Sequence, residues 1–233
     1  MKTSKFWLLS LAMLSLGIKI FAQTYYFDNY SVKEGLSQSK VYCILQDSLG
    51  YVWMGTTSGA SNFDGINFIN FTADDGLAQN GIRVITSTKS GTLWFGHIGG
   101  GLSRYMNKKF DKINNDSLNL NVDITTLHID KTGNLWIGTH GAGAFKITNP
   151  DEPKPKNLNF EHFAGYNKLS DRIFKIEETN DSILYFIIDG SIKYLKPNTS
   201  DFMTYSPKGL NRYFQFTCMK EDKIGRASCR ERV

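Results

Sequence analysis

An all-β fold assembled from a repeated four-stranded sheet is what this 233-residue sequence predicts. Three observations predict it. A segment Asp47-Ser-Leu-Gly50-Tyr-Val-Trp53-Met-Gly55-Thr56 recurs as Thr88-Lys-Ser-Gly91-Thr-Leu-Trp94-Phe-Gly96-His97 and as Asp130-Lys-Thr-Gly133-Asn-Leu-Trp136-Ile-Gly138-Thr139. Each period of about 40 residues holds four short strand signals separated by turn residues. The composition, 41% hydrophobic and 13% aromatic with 21 Gly and 5 Pro, suits a folded β-rich chain and excludes disordered, collagen-like and multi-pass membrane classes.

The elements follow in order from the first copy. Residues 41–46 form an apolar strand ended by the turn Asp47 to Gly50, and 51–56 form the second strand. A turn at 57–59 leads into 60–63, and Asp64-Gly65 is a two-residue hairpin signal before 67–71 closes the unit. Runs such as 124–129 and 183–188 are apolar on both faces, as a sheet sandwiched between two others requires. A degenerate fourth copy carries Tyr185 in the Trp place, and a fifth begins at 214–219. Four strands per period, stacked face to face, describe the blade of a β-propeller. A parallel β-helix needs a shorter period, and helical repeats need a 3.6-residue periodicity that the glycines and β-branched residues oppose. The repeats span about 30–77, 78–118, 119–170, 171–210 and 211–223. About four blades and the start of a fifth leave the ring incomplete, so residues 23–223 alone are expected to express poorly or associate through open sheet faces.

Both ends are read as lying outside this partial propeller of residues 23–223. Residues 1–22 resemble an export signal: Lys2 and Lys5 precede an apolar stretch from Phe6 to Gly17, and Ala22 places a small residue before Gln23. Lys19 interrupts the pattern, and with it the apolar run is too short for a span of roughly 20 residues. Residues 224–233 look like one reading frame of a sequencing adapter, so the sequence is expected to be a fragment of a longer gene product. Cys229 then drops out, and Cys43 and Cys218 are read as small core residues rather than a disulfide or metal site.

The charge removes nucleic acid as a partner. Of the net +5, three charges are Lys2, Lys5 and Lys19, and two are Arg226, Arg230 and Arg232 set against Glu231. Residues 23–223 are neutral and have no footprint for a phosphate backbone.

The repeated residues have structural explanations. Gly50, Gly91 and Gly133 are expected to supply a positive φ in the first turn. Trp53, Trp94 and Trp136 are expected to fill the space between blades, and Gly55, Gly96 and Gly138 to let neighbouring backbones approach.

The Gly-Leu-Ser at 35–37, the Asp-x-x-Gly-x-x-Trp-x-Gly-Thr core and the Asp64-Gly65-x-x-Phe68 ending resemble the two-component regulator propeller repeat. The resemblance covers roughly residues 30 to 222. It implies the extracytoplasmic sensor region of a hybrid or sensor histidine kinase, truncated here, with a membrane helix and the kinase downstream and a homodimer as the working state. Two departures stand out: the fourth copy lacks the Trp and the Gly-Thr, and the third carries an insert at 148–159 with Pro150, Pro153 and Pro155. That insert reads as a surface loop between the two outer strands.

In a propeller the loop leading into each blade and the turn between its second and third strands open on one face. Leading loops at 34–40, 75–81, 119–123, 167–172 and 209–213, with turns at 57–59, 97–101 and 140–143, place Gln38, Lys40, Asn80, Arg83, His97, Asn121, His140, Arg172, Asn211 and Arg212 on one rim. Hydrogen-bonding side chains with scattered cations suit a small polar ligand or an oligosaccharide. No cofactor or metal is called for: the histidines at 97, 128, 140 and 162 are scattered, and no Cys/His spacing fits a metal. Opposed carboxylates for glycoside hydrolysis and the nucleotide-binding boxes of a kinase are likewise not found. Three functions remain open: a sensor, a secreted binding or scaffold protein, and a propeller hydrolase or lyase.

Overall fold

The structure, a computed structural model, describes residues 26–113, 120–164, 172–189 and 191–205, together with the backbone of two further strands at 215–221 and 227–232. Residues 1–22, read in the sequence as an export signal, lie outside the described residues.

Each repeat folds into one antiparallel sheet whose strands lie side by side in chain order. The first blade holds β1 (Val41–Gln46), β2 (Val52–Thr56), β3 (Ala60–Phe63) and β4 (Phe68–Phe71). The second holds β5 (Ile82–Ser87), β6 (Leu93–His97), β7 (Leu102–Met106) and β8 (Lys109–Ile113). The third holds β9 (Ile124–Ile129), β10 (Leu135–Thr139), β11 (Ala144–Ile147) and β12 (Phe160–Phe163). The fourth holds β13 (Ile173–Glu178), β14 (Leu184–Ile188), β15 (Ser191–Leu195) and β16 (Met203–Tyr205). A last hairpin pairs β17 (Gln215–Glu221) with β18 (Ala227–Arg232), so the segment set apart in the sequence at 224–233 contributes a strand.

The first strands pack in series, β1 on β5, β5 on β9, β9 on β13 and β13 on β17. This is the inner-strand stacking of propeller blades. Every residue of β6 and β10 is buried, because each of these sheets has a neighbour on both faces. A register irregularity recurs where the first and second strands of each blade meet, at Val41/Cys43, Ile82/Val84, Gly138/Thr139 and Ile173/Lys175. Bulges of this kind sharpen the twist that lets blades fan around an axis.

The motif spacing has a hydrogen-bond explanation. Asp47 Oδ1 accepts from the amides of Leu49 and Tyr51 at 2.9 and 3.0 Å, and its Oδ2 accepts from Trp53 Nε1 at 2.9 Å. Asp130 does the same for Asn134 N at 2.8 Å and Trp136 Nε1 at 2.9 Å. One carboxylate thus closes the turn and satisfies an indole that each blade presents to the next. Trp53 packs with Ile82 and Phe95, Trp94 with Ile124 and Phe145, and Trp136 with Ile173 and Phe186. The second blade has Thr88 in the Asp place, and there the Trp94 indole N–H is buried without a partner.

Gly50, Gly91 and Gly133 sit at φ 92, 91 and 90°, where a side chain is strained. Gly55, Gly96 and Gly138 leave room for a side chain rather than a backbone: a Cβ at Gly138 would lie 2.5 Å from Thr126 Cγ2 and 2.8 Å from Ile173 Cγ2. The first residue of the following blade, Ile82, Ile124 or Ile173, fills each of these seats.

Candidate functional site

The leading loops are built by short capped turns. In the first, Ser31 caps the 3-10 turn Val32–Glu34 and receives the Glu34 carboxylate on its own amide at 2.7 Å. Thr72 and Asp75 repeat this reciprocal cap ahead of the second blade. Leu36 and Leu77 then drop into the core. A serine on the third strand holds each loop down, Ser61 Oγ accepting from Ser37 N at 3.0 Å and Ser103 Oγ from Ala78 N at 2.8 Å.

The residues expected on the rim divide into two groups. Several are engaged by other groups of the protein. Gln38 accepts from the Thr57 hydroxyl at 2.5 Å, Asn80 accepts from Ala73 N at 2.7 Å, and Arg83 pairs with Asp123 at 2.8 Å. Asp123 also accepts from Gly99 N at 2.5 Å, and its carbonyl accepts from His140 N, which ties the second blade to the third. The Arg83 Nε stays buried and unpaired. Lys40, Asn121, His140 and Arg172 are exposed. Lys40 lies 5.0 Å from the centre of the Tyr42 ring and Arg172 5.1 Å from that of Phe174. Asn211 and Arg212 lie outside the described residues. His97 requires correction: it is fully buried, not on the rim. Its Nδ1 meets the Gly81 carbonyl at 3.2 Å and its Nε2 the Ser103 hydroxyl at 2.8 Å. Burial pushes its pKa down to about 4, against the opposing pull of the Gly81 and Gln79 carbonyls.

The opposite face carries the turns between first and second strands, and a cross-strand pattern repeats there. Trp94 is flanked across the sheet by Arg104 and then Asp111, and Trp136 by Lys146 and then Glu161. The Arg104 guanidinium lies 5.9 Å from the Trp94 ring centre and 2.9 Å from Asp111. Lys146 lies 5.7 Å from Trp136 and 3.3 Å from Glu161. Each is a cation over an indole with its charge balanced on the next strand. The insert at 148–159 is more than a surface loop, because Arg104 donates to its Glu152 and Pro153 carbonyls and Thr88 donates to Asp151. In the first blade the corresponding positions opposite Trp53 are Asn62 and Ile69. Here a cleft of about 600 Å³ opens between the first two blades, walled by Tyr51, Trp53, Phe71 and Tyr105, with Asn62, Asp47 and Asp151 in its polar lining. Among the described residues no group of three or more His, Cys, Asp or Glu is placed to hold a metal ion.

The two-component regulator propeller family matches residues 35–58 and 117–141. These two segments, in the first and third repeats, are similar to two-component regulator propeller repeats. Over 57 residues, 24% of this chain and 4% of the relative, it is 37% identical to Histidine kinase P4 of Formosa agariphila. Two solved extracellular domains from B. thetaiotaomicron have a similar fold. One comes from a protein described as a hybrid two-component system (TM-score 0.68, 20% identity, 91% of this chain and 29% of that one). The other comes from a protein described as a one-component system (TM-score 0.70, 18% identity, 89% and 31%). Virginiamycin B lyase from Staphylococcus aureus has the same fold at 13% identity (TM-score 0.61, 84% and 71%). The chain spans less than a third of the length of the histidine kinase and of the two B. thetaiotaomicron domains.

Sequence reasoning missed several residues of these loops and of the cleft. Asp123 was counted only as the end of a loop, and Ser61 and Ser103 were not singled out. Their signal was the shared position on the third strand, visible once the blades are aligned. The cleft had a signal too, since Arg104 and Lys146 give way to Asn62 in the first repeat.

Proposed function

We propose that this chain is the extracytoplasmic, ligand-sensing propeller portion of a two-component signal-transduction protein with histidine-kinase output, and that it detects a polar ligand such as a glycan. The observation that carries the reading is the regulator-propeller match at 35–58 and 117–141, supported by the likeness to a histidine kinase. An exported position, periplasmic with a downstream membrane helix or else secreted, agrees with the signal-like segment at 1–22. No helix among the described residues is long and apolar enough to cross a membrane. Ligand binding at the rim would alter how two propellers sit in a dimer, and the shift would pass through the membrane helix to the kinase.

The test uses the complete protein in membrane vesicles and a panel of soluble oligosaccharides, reading autophosphorylation and binding together. One oligosaccharide should change the phosphorylation rate. Its affinity should fall with Lys40→Ala and Arg172→Ala and survive Lys154→Ala in the insert. Equal effects at rim and insert would sink the placement, and a kinase indifferent to the whole panel would sink the glycan reading.

A further inference from the structure

The slot over the inter-blade tryptophan is filled by the protein's own cation in the second and third blades and left open in the first. Arg104 and Lys146 reach over Trp94 and Trp136, each balanced by a carboxylate one strand further out. Trp53 and Trp136 share an Asp acceptor for the indole N–H and a pair of flanking phenylalanines. Trp136 lies beside Phe163 with ring centroids 5.2 Å apart and meets Phe186 edge-on, and Trp53 lies beside Phe71 at 5.7 Å and meets Phe95 edge-on. The third-strand residue opposite them differs, Lys146 at Trp136 and Asn62 at Trp53. Asn62 is only 6% exposed, lines the cleft, and its side-chain amide makes no hydrogen bond among the described residues. The amide is not among the buried polar atoms that lack a partner, so it opens onto the cleft, where a ligand can meet it.

We propose that this cleft between the first two blades binds a small organic cation, an ammonium or guanidinium group carried by a soluble molecule, in the place that Arg104 and Lys146 occupy in the next blades. Tyr51 and Tyr105 complete an aromatic wall with Trp53, and Tyr105 lies 5.0 Å from the Trp53 ring centre. Aromatic rings arranged in this way attract a desolvated cation through their negative faces. The Asn62 amide oxygen supplies an acceptor for an N–H donor. Asp47 and Asp151 supply negative charge against the single cation of the lining, Lys108. Ile69, which stands where the second and third blades keep a carboxylate, is 54% exposed and leaves the approach open. The site is on the face opposite the rim, so it stands whether or not the sensor reading does.

Isothermal titration of the full chain with choline, agmatine and 3,3-dimethylbutan-1-ol, the uncharged carbon isostere of choline, tests this. Saturable binding of choline or agmatine is expected, at least about tenfold tighter than the alcohol. The double variant Asn62→Arg, Ile69→Asp introduces the internal cation and carboxylate of the second and third blades. It should abolish binding without lowering the melting temperature. Tyr51→Ala, at a position 40% exposed and therefore tolerant of change, should weaken binding about fivefold or more. The proposal is overturned if neither cation binds at millimolar concentration, if the alcohol binds as well as choline, or if Tyr51→Ala and the filled-in variant both bind like the parent.

Discussion

Acidification should loosen the second blade through His97. The ring is fully buried between the Gly81 carbonyl and the Ser103 hydroxyl. Because Ser103 Oγ already accepts from Ala78 N, its own proton is free for His97 Nε2, which leaves the imidazole proton on Nδ1, facing Gly81. A second ring proton would confront the hydroxyl donor and bury a charge. Burial accordingly pushes the folded-state pKa down to about 4 from an ordinary 6.5. The sign follows from that depression: the unfolded chain binds the proton first, so the contribution is complete above pH about 6.5 and is lost as pH falls from there to about 4. With those two values the loss is about 2 kcal/mol at pH 5 and levels near 3 kcal/mol below pH 4. Urea unfolding at pH 7.5 and 5.0 reads it, with His97→Thr as the reference. Threonine stands at this position in the first and third blades, where Thr56 and Thr139 donate to the Gly59 and Gly143 carbonyls. The parent should lose about 2 kcal/mol more than the variant between the two pH values. An equal loss in both proteins would refute the assignment.

Three further outcomes are expected. Asp130→Ala orphans the Trp136 indole and the Asn134 amide and should cost about 2–4 kcal/mol by chemical denaturation. Burial pushes the Asp130 carboxyl up, but its bonds from Thr132, Asn134 and Trp136 outweigh that and hold the pKa below the usual range. Stability from Asp130 is therefore present above pH about 4 and lost as pH falls below it, a loss the Ala variant should not show. Thr88→Asp offers the Trp94 indole its missing acceptor but sets a carboxylate where the Thr88 hydroxyl lies 2.8 Å from Asp151. In an Asp151→Asn background it should raise stability by about 1 kcal/mol, and in the parent it should not. Gly138→Ala pushes a methyl against Thr126 and Ile173 and should cost about 1–3 kcal/mol, partly recovered by Ile173→Val, as read by melting temperature.

The repeat was legible because its cause is local. Turn closure by Asp47 and Asp130, the positive φ at Gly50 and the alternation of strand and turn all act within a few residues, so the linear spacing carries them. The strands of the first blade were readable to within a residue for the same reason.

The roles of single side chains were not legible, because each depends on a neighbour from another strand, loop or blade that only packing supplies. His97 occupies a slot that sequence assigns to the rim, yet the leading loop at 78–81 folds over it and Ser103 claims it. Arg83 looks free until Asp123 of the next blade arrives. By itself the sequence determined the blade, its period and which residues turn the chain. Only the tertiary structure decided which polar groups face ligand and which are consumed holding blades together, since burial and charge pairing are properties of the assembled sheets.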